Sequence, residues 1–223
     1  MKPFLSLLFL SLSFTSAGLA DTTPVTCRLM HLQVQPHKNE PLYTGSDDSA
    51  IRCDIPSEEL SKPIILPSSK GQIIFSKQTG QATNPVAIAK IPNGVKNAIL
   101  LFLKSNQTEE KPSYKIIVID YSTNKAPKNG SFVFNASSNQ LRFLIGNQQG
   151  YAKSGQVTSV ARPKERDAFQ MSRVMFQTQS NKTWKTSYES MMRFPERTHR
   201  LFVAYKDPRT EQPSLRILRF TPK

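Results

Sequence analysis

Hydrophobic residues along this chain alternate with polar ones at a period of two, in short runs separated by Pro, Gly, Asn and Ser. This alternation is typical of β-strands with one buried face. We predict strands over residues 25–34, 49–55, 62–66, 72–77, 85–91, 98–105, 114–121, 131–137, 140–146, 155–161, 169–179, 183–194, 199–205 and 214–220. Most of the 16 prolines fall outside these runs, where they disfavour long helices, so the pattern predicts an all-β chain.

About seven strands fall in each half of the chain, with turn residues every 8 to 14 positions. Many short strands at this spacing favour two tandem antiparallel β-sandwiches of the Ig-like type. The pattern predicts a first domain over residues 21–121, a linker over 122–130 and a second domain over 131–223. Residues 56–62 could form one helical turn at most.

A short sequence at the end of the first half is repeated, with changes, at the end of the second half. Residues 110–120 read "EKPSYKIIVID" and residues 211–221 read "EQPSLRILRFT". A shift of 101 superimposes the two Pro-Ser pairs, and the same shift places Leu100 on Leu201 and Phe75 on Phe176. We therefore expect both halves to share a fold and to end in a long β-hairpin. The alternative is that the two segments are similar by chance, because amphipathic strands resemble one another.

The two final strands differ in polarity. "KIIVIDY" is nearly all apolar, which predicts fuller coverage, whereas "RILRFTP" carries two arginines, which predicts an edge strand protected by charge. By the same alternation, a set of arginines should point outward: Arg142, Arg173, Arg200, Arg216 and Arg219.

Residues 1–20 have the layout of a cleaved secretory signal peptide. An early positive charge at Lys2 precedes an apolar run over residues 4–14 and small residues over 17–20. The run is shorter than the ~20 apolar residues that span a bilayer, and no spanning stretch follows it. We expect export to the periplasm, cell surface or medium, without a transmembrane helix in the mature chain.

The chain contains two cysteines, Cys27 and Cys53. An oxidising compartment favours a disulfide between them. The alternative is two buried, unpaired cysteines that act as small hydrophobic residues.

Positive charge is concentrated in the second half. Residues 21–126 hold 12 basic and 10 acidic side chains, whereas residues 127–223 hold 17 basic and 6 acidic ones. In an exported protein this excess points to envelope polysaccharide, anionic lipid or an acidic exported protein rather than to nucleic acid. The alternative is a basic surface that only maintains solubility.

The junction between the halves carries a set of strand-end and turn residues: Ile119-Asp120-Tyr121-Ser122, Gly130, Asn135 with Ser137, and "FLIGNQQGYAKSGQVTSVARP". This arrangement resembles a group of uncharacterised exported proteins with two β-sandwiches from Verrucomicrobiota and related bacteria. Ser154-Gly155 stands where that group has Pro-Gly. The resemblance implies an exported protein with two sandwiches, and it transfers no catalytic or binding residue.

Chemistry-bearing motifs are scarce. The sequence has no nucleophile elbow, no phosphate-binding glycine loop and no metal-ligand spacing, so we predict no catalytic residue, cofactor or metal site. His31 is expected to be a half-buried strand residue and His37 a loop residue. The paired acids Asp47-Asp48 and Glu58-Glu59 are expected to be solvated loop residues.

The remaining candidate is a binding surface around the only tryptophan. Trp184 and Tyr188 alternate with Lys185 along one strand, which would place both aromatic rings on one face. Lys182, Arg216 and Arg219 complete the candidate set. The alternative role of Trp184 is to anchor the core of the second sandwich.

These observations favour an exported, non-catalytic protein that acts through protein or glycan contacts. The alternative is a polyanion- or carbohydrate-binding module that uses the basic C-terminal domain.

Overall fold

The computed structural model describes residues 22–32, 40–45, 47–80, 84–104, 113–122, 129–207 and 210–221, so the predicted signal peptide lies outside it. In this part of the chain the protein is all-β, with one short 3-10 turn at Asp47–Ser49. The strands are β1 (Thr22–His31), β2 (Leu42–Thr44), β3 (Ile51–Cys53), β4 (Ile64–Ser69), β5 (Gln72–Phe75), β6 (Ala87–Lys90), β7 (Asn97–Lys104), β8 (Tyr114–Asp120), β9 (Ser131–Asn135), β10 (Leu141–Ile145), β11 (Gln148–Ala152), β12 (Val157–Val160), β13 (Met171–Ser180), β14 (Thr183–Arg193), β15 (His199–Lys206) and β16 (Pro213–Phe220).

Each of the fourteen predicted strands corresponds to a strand in this list, and two strands were not predicted. β2 has only three residues, and β11 reads "QQGYA", which lacks an alternating apolar pattern. Residues 56–62 form bends and irregular backbone, and no helical turn.

The first half closes into a six-stranded barrel, in the order β1-β4-β5-β6-β8-β7, with β2 and β3 as a separate hairpin. The prediction of two open sheets is wrong here. Closure depends on two parallel pairings, β1 with β7 and β6 with β8, between strands that are distant in sequence. The core of this N-terminal barrel includes Leu29, Phe75, Leu100 and Phe102.

The second half forms two four-stranded sheets, in the orders β11-β10-β13-β14 and β12-β9-β15-β16. Phe143, Phe176 and Phe202 belong to the core of this C-terminal sandwich. All strand pairs join strands of the same half.

A third apolar cluster, which we call the interface cluster, joins the two halves. The barrel contributes Met30, Leu32, Ile99, Leu101, Ile119 and Tyr121, and the sandwich contributes Phe132, Phe134, Leu201, Val203, Leu218 and Phe220. β7 and β15 are therefore buried on both faces, because alternate residues of each strand point into its own core and into the interface cluster.

Two arginines add polar contacts across the same boundary. Arg28 of the barrel donates from Nη2 to the carbonyl of Thr221 at 3.1 Å. In the opposite direction, Arg216 donates from Nη1 to the carbonyl of Ser57 at 2.6 Å. Each half thus supplies a guanidinium to the backbone of the other.

Both halves end in the predicted hairpin, β7–β8 and β15–β16, but the constant shift of 101 is wrong as a residue-by-residue equivalence of β7 and β15. At that shift Leu100, which faces the barrel core, falls on Leu201, which faces the interface cluster. On the last strands the same shift keeps the face, since Ile116 and Ile217 both pack against the core of their own half. The connections also differ in length, nine residues in the first hairpin and six in the second.

β16 is an edge strand, as its arginines predict, whereas β8 pairs on both sides within the barrel. Fuller burial of β8 is not observed, since only Ile119 of that strand is fully buried. The outward orientation predicted for Arg200 is wrong. Arg200 is 2% exposed because β15 is covered on both faces, and its guanidinium carbon lies 4.6 Å from the ring centroid of Phe194.

His31 is fully buried, at 3% exposure, and not half-buried as predicted. Its ring contacts Phe102 and Tyr114, at centroid distances of 5.7 and 5.1 Å. Burial lowers the pKa of His31 from 6.5 to about 4, because the charged imidazolium would lose its hydration. His37 lies outside the described residues.

Replacing Leu101 by alanine should destabilise both halves together. The substitution removes a fully buried side chain from the interface cluster and should lower the free energy of unfolding by about 2–5 kcal/mol. Trp184, the only tryptophan, lies in the other half and reports its unfolding by fluorescence in a denaturant titration. Ile65→Ala, at a position that is 64% exposed, serves as the control. If Leu101→Ala leaves the denaturant midpoint of the Trp184 fluorescence transition unchanged, the halves unfold independently.

Acidification should destabilise the protein through His31. The unfolded chain binds a proton near pH 6.5 but the folded one only near pH 4, so stability is lost as the pH falls through this window. The loss amounts to about 3 kcal/mol. The midpoint of urea unfolding should fall less steeply between pH 7 and pH 4 in His31→Phe than in the wild type. If the midpoints of the two proteins fall in parallel, protonation of His31 is not the cause of the acid destabilisation.

Candidate functional site

The most distinctive surface is the solvent-facing side of the sheet β11-β10-β13-β14, which we call the outer face. The strand registers place every second residue on it, while Phe143, Val174 and Phe176 point into the core. Its residues are Arg142, Leu144, Gln149, Tyr151, Arg173, Met175, Gln177, Gln179, Trp184, Thr186, Glu189 and Met191.

Trp184, Tyr151 and Arg142 meet on the outer face, and we call this group the aromatic corner. The guanidinium carbon of Arg142 lies 4.5 Å from the centroid of the Trp184 ring, within cation–π range. The rings of Tyr151 and Trp184 are 6.1 Å apart between centroids and inclined by 58°. Tyr151 is 66% exposed and Trp184 is partly exposed. Trp184 is therefore not the core anchor that the sequence offered as the alternative.

A chain of hydrogen bonds holds the aromatic corner in position. Arg142 donates from Nε to Oε1 of Gln177 at 2.5 Å, and Gln177 donates from Nε2 to Oγ1 of Thr186 at 3.0 Å. With its Nε–H engaged, the Arg142 guanidinium remains over the Trp184 ring. The outer face thus combines exposed aromatic rings with fixed amide, hydroxyl and guanidinium groups.

The prediction that Trp184 and Tyr188 share a face is wrong. The register between β13 and β14 shifts between Phe176 and Gln177, so that Thr186 pairs with Gln177 and Tyr188 with Phe176. Ser187 is the extra residue of this β-bulge, and its hydroxyl donates to the carbonyl of Phe176 at 3.1 Å. The bulge turns Tyr188 inward, where it packs against the sandwich core.

The other predicted binding residues do not form one surface. Lys182 lies in the β13–β14 turn beside the aromatic corner, and Lys185 is exposed on the opposite side of its strand from Trp184. Arg216 contacts Ser57 at the boundary between the halves, and its guanidinium carbon lies 5.9 Å from the Tyr205 ring centroid. Arg219 is exposed at the other end of the sandwich.

Sequence reasoning missed Tyr151 and Gln177 as partners of Trp184. Tyr151 lies in β11, whose polar sequence gave no strand signal, and the pairing β11-β10-β13-β14 brings it to Trp184 across two intervening strands. Arg142 was predicted to point outward, and that orientation is confirmed. The exposed position of Tyr151 opposite Arg142 follows only from the register of the unpredicted strand.

A groove elsewhere, beside β1 in the barrel, is lined by Leu29, Cys53, Arg52, Asp54, Lys62 and their neighbours. Arg52 and Asp54 pair at 3.1 Å at its exposed rim. Cys27 and Cys53 are free thiols in the structure, both buried in the barrel core, so the predicted disulfide is not present. Burial raises the pKa of each thiol to about 12.

No group of three His, Cys, Asp or Glu side chains in the described ranges is close enough to hold a metal ion. The described part of the chain also contains no helix with the length and hydrophobicity needed to cross a bilayer.

The chain matches no protein-family model and no curated protein.

The two thiols should be inert in the folded protein. Because only the thiolate reacts, a pKa of about 12 and full burial should slow alkylation of Cys27 and Cys53 by iodoacetamide at pH 8 about a hundredfold or more relative to the unfolded chain. Intact mass after unfolding without reductant should show two added groups. Modification only after reduction would instead identify a disulfide.

Proposed function

We propose that this protein is an exported, non-catalytic binding protein, and that it binds carbohydrate through the aromatic corner and the outer face. The supporting observation is the position of Trp184. Its ring lies on the solvent side of the sheet, beside an exposed tyrosine, although a tryptophan would contribute more to stability in the core.

The chemistry of the corner fits a sugar. The apolar faces of pyranose rings pack on aromatic rings, and sugar hydroxyls need donors and acceptors beside them. Gln149, Gln177 and Thr186 supply amide and hydroxyl groups on the same face. Water-exposed polar groups arranged on rigid strands can make such bonds without reorganisation.

The charge around the corner favours an acidic glycan over a neutral one. Arg142 stands over the tryptophan ring and Lys182 lies in the adjacent turn. The second half also carries 17 basic and 6 acidic residues. A carboxylate or sulfate on the sugar would gain charge-assisted hydrogen bonds here.

Binding is a better match to this surface than catalysis. The outer face is an open sheet surface, and Glu189, the carboxylate it carries, is held by Arg173 at 2.6 Å. A glycosidase uses a pair of carboxyl groups across the scissile bond. Glu189 has no second acid beside it among the described outer-face residues.

The cellular setting rests on the sequence. Removal of residues 1–20 as a signal peptide would place the protein in the periplasm, on the cell surface or in the medium. Kinship with uncharacterised exported proteins of Verrucomicrobiota belongs to the same proposal. In any of these locations the protein would meet envelope polysaccharide, which is therefore the proposed class of ligand.

Affinity electrophoresis through gels that contain a neutral glucan or a polyuronate tests the proposal. We expect the polyuronate to retard the protein more than the glucan, and Trp184→Ala to weaken this retardation about tenfold, through loss of the stacking ring. Phe169→Ala is the matched control, because it removes an exposed aromatic ring from another part of the sandwich.

Trp184→Ala should keep the wild-type circular dichroism spectrum, since the ring lies outside the core. Failure of both gels to retard the wild type at low salt, or equal retardation of Trp184→Ala and the wild type, would reject the proposal.

A further inference from the structure

The end of the sandwich opposite the aromatic corner carries a second unusual surface. The connection from β12 to β13, the connection from β14 to β15 and the β10–β11 turn all meet there. They are tied together by the bond from the amide of Gly146 to the carbonyl of Arg173 at 2.8 Å and by that from Phe194 to Gln170 at 2.8 Å. We call this region the basic end.

Phe169 projects from the basic end. Among the large hydrophobic side chains that the structure describes, it is the most exposed, at 73%. Its turn is well fixed: one carboxylate oxygen of Asp167 accepts from the amides of Phe169 at 2.9 Å and Met171 at 2.8 Å, and Gln170 adopts a positive φ of 62°. A rigid turn that holds a phenylalanine in water gains no folding energy from that ring.

Cationic side chains are concentrated at the same end of the sandwich as Phe169. The connections and strand ends of this region carry the exposed or partly exposed Arg162, Lys164, Arg166, Arg193, Arg197 and Arg219, against Glu165, Asp167 and Glu196. All three acids are engaged, since Arg162 pairs with Glu196 at 3.4 Å, Asp167 caps the turn, and Glu165 accepts from the side-chain amide of Asn147 at 3.3 Å. The basic end therefore presents an uncompensated positive charge.

A buried guanidinium adds to this charge. Arg200 forms no salt bridge with any described carboxylate; it donates to the carbonyl of Arg193, and its Nε has no partner. The hydroxyl of Ser131, its neighbour on β9, likewise has no hydrogen-bond partner among the described residues. Burial and the neighbouring Arg219 lower the pKa of Arg200 to about 10, so it remains charged at neutral pH.

We propose that the basic end docks on an anionic membrane surface, with Phe169 inserted among the acyl chains and the exposed arginines of the same end against the lipid phosphates. An exposed aromatic ring within a cationic surround is the composition of an interfacial anchor. A soluble phosphate would use the arginines but would leave the phenylalanine in water. This surface is separate from the aromatic corner, so the two proposals can fail independently.

Sedimentation with sucrose-loaded vesicles tests the docking. Vesicles of phosphatidylcholine alone should bind little protein, whereas vesicles of equal parts phosphatidylcholine and phosphatidylglycerol should bind it, and rising salt should release it. Phe169→Ala should weaken binding to the mixed vesicles about tenfold. Tyr151→Ala, which removes an exposed ring of the aromatic corner, is the matched control and should bind like the wild type.

Insertion of the ring has its own readout. In a Trp184→Phe background, Phe169→Trp places the only tryptophan at the tip of the turn, and its emission should shift to the blue when mixed vesicles are added. Arg193→Gln should weaken binding without removing that shift at high lipid concentration.

Three outcomes would overturn the proposal. The first is equal binding of Phe169→Ala and the wild type, and the second is an unshifted emission of the Phe169→Trp protein. The third is release of wild type and Phe169→Ala alike by inorganic phosphate at an ionic strength at which sodium chloride releases neither, which would identify a site for free anions.

Discussion

The structure depends on apolar contact between the two halves. β7 in the barrel and β15 in the sandwich each bury both faces, one in their own core and one against the other half. Neither strand could be exposed on its second face without placing residues such as Leu101 and Leu201 in water. The interface cluster therefore makes the halves one structural unit rather than two domains on a flexible linker. The contacts of Arg28 and Arg216 with the opposite backbone fix their orientation.

This arrangement decides which surfaces remain available for binding. In the sandwich, the sheet that contains β9, β15 and β16 is covered by the barrel, so the sheet that contains β10, β11, β13 and β14 is left with a free face. Exposed aromatic rings accumulate on that side and at its ends, whereas the aromatic residues near the boundary, Tyr121 and Phe220, pack against each other at 5.3 Å. The positions of Trp184, Tyr151 and Phe169 thus contrast with those of the phenylalanines in the three apolar clusters, which are buried.

The strands were predictable because one buried face imposes a period of two on the sequence. Barrel closure was not, since it depends on parallel pairing of β1 with β7 and of β6 with β8, which no local pattern encodes. The repeat showed that each half ends in a hairpin, yet one constant shift for both strands hid the fact that Leu100 faces the barrel core and Leu201 the interface cluster. Burial of Arg200 also escaped prediction, because alternation gives two faces but does not say whether both are covered.

The candidate site was predictable only in part, for a similar reason. Trp184 was identified as a lone aromatic residue with lysines nearby, but a single extra residue, Ser187, reversed the orientation of Tyr188. The true neighbour of Trp184, Tyr151, comes from a strand without a hydrophobic signal. The aromatic corner therefore depends on the pairing register of strands that are distant in sequence, which composition does not reveal.

The length of β13 has a geometric consequence. This strand of ten residues runs from the turn that carries Phe169 to the turn beside Trp184, and a strand rises ~3.3 Å per residue. It therefore acts as a rigid spacer of about 30 Å between the two surfaces. A glycan bound at the aromatic corner would therefore lie at that fixed distance from a bilayer bound at the basic end. The number of residues in β13 sets this distance.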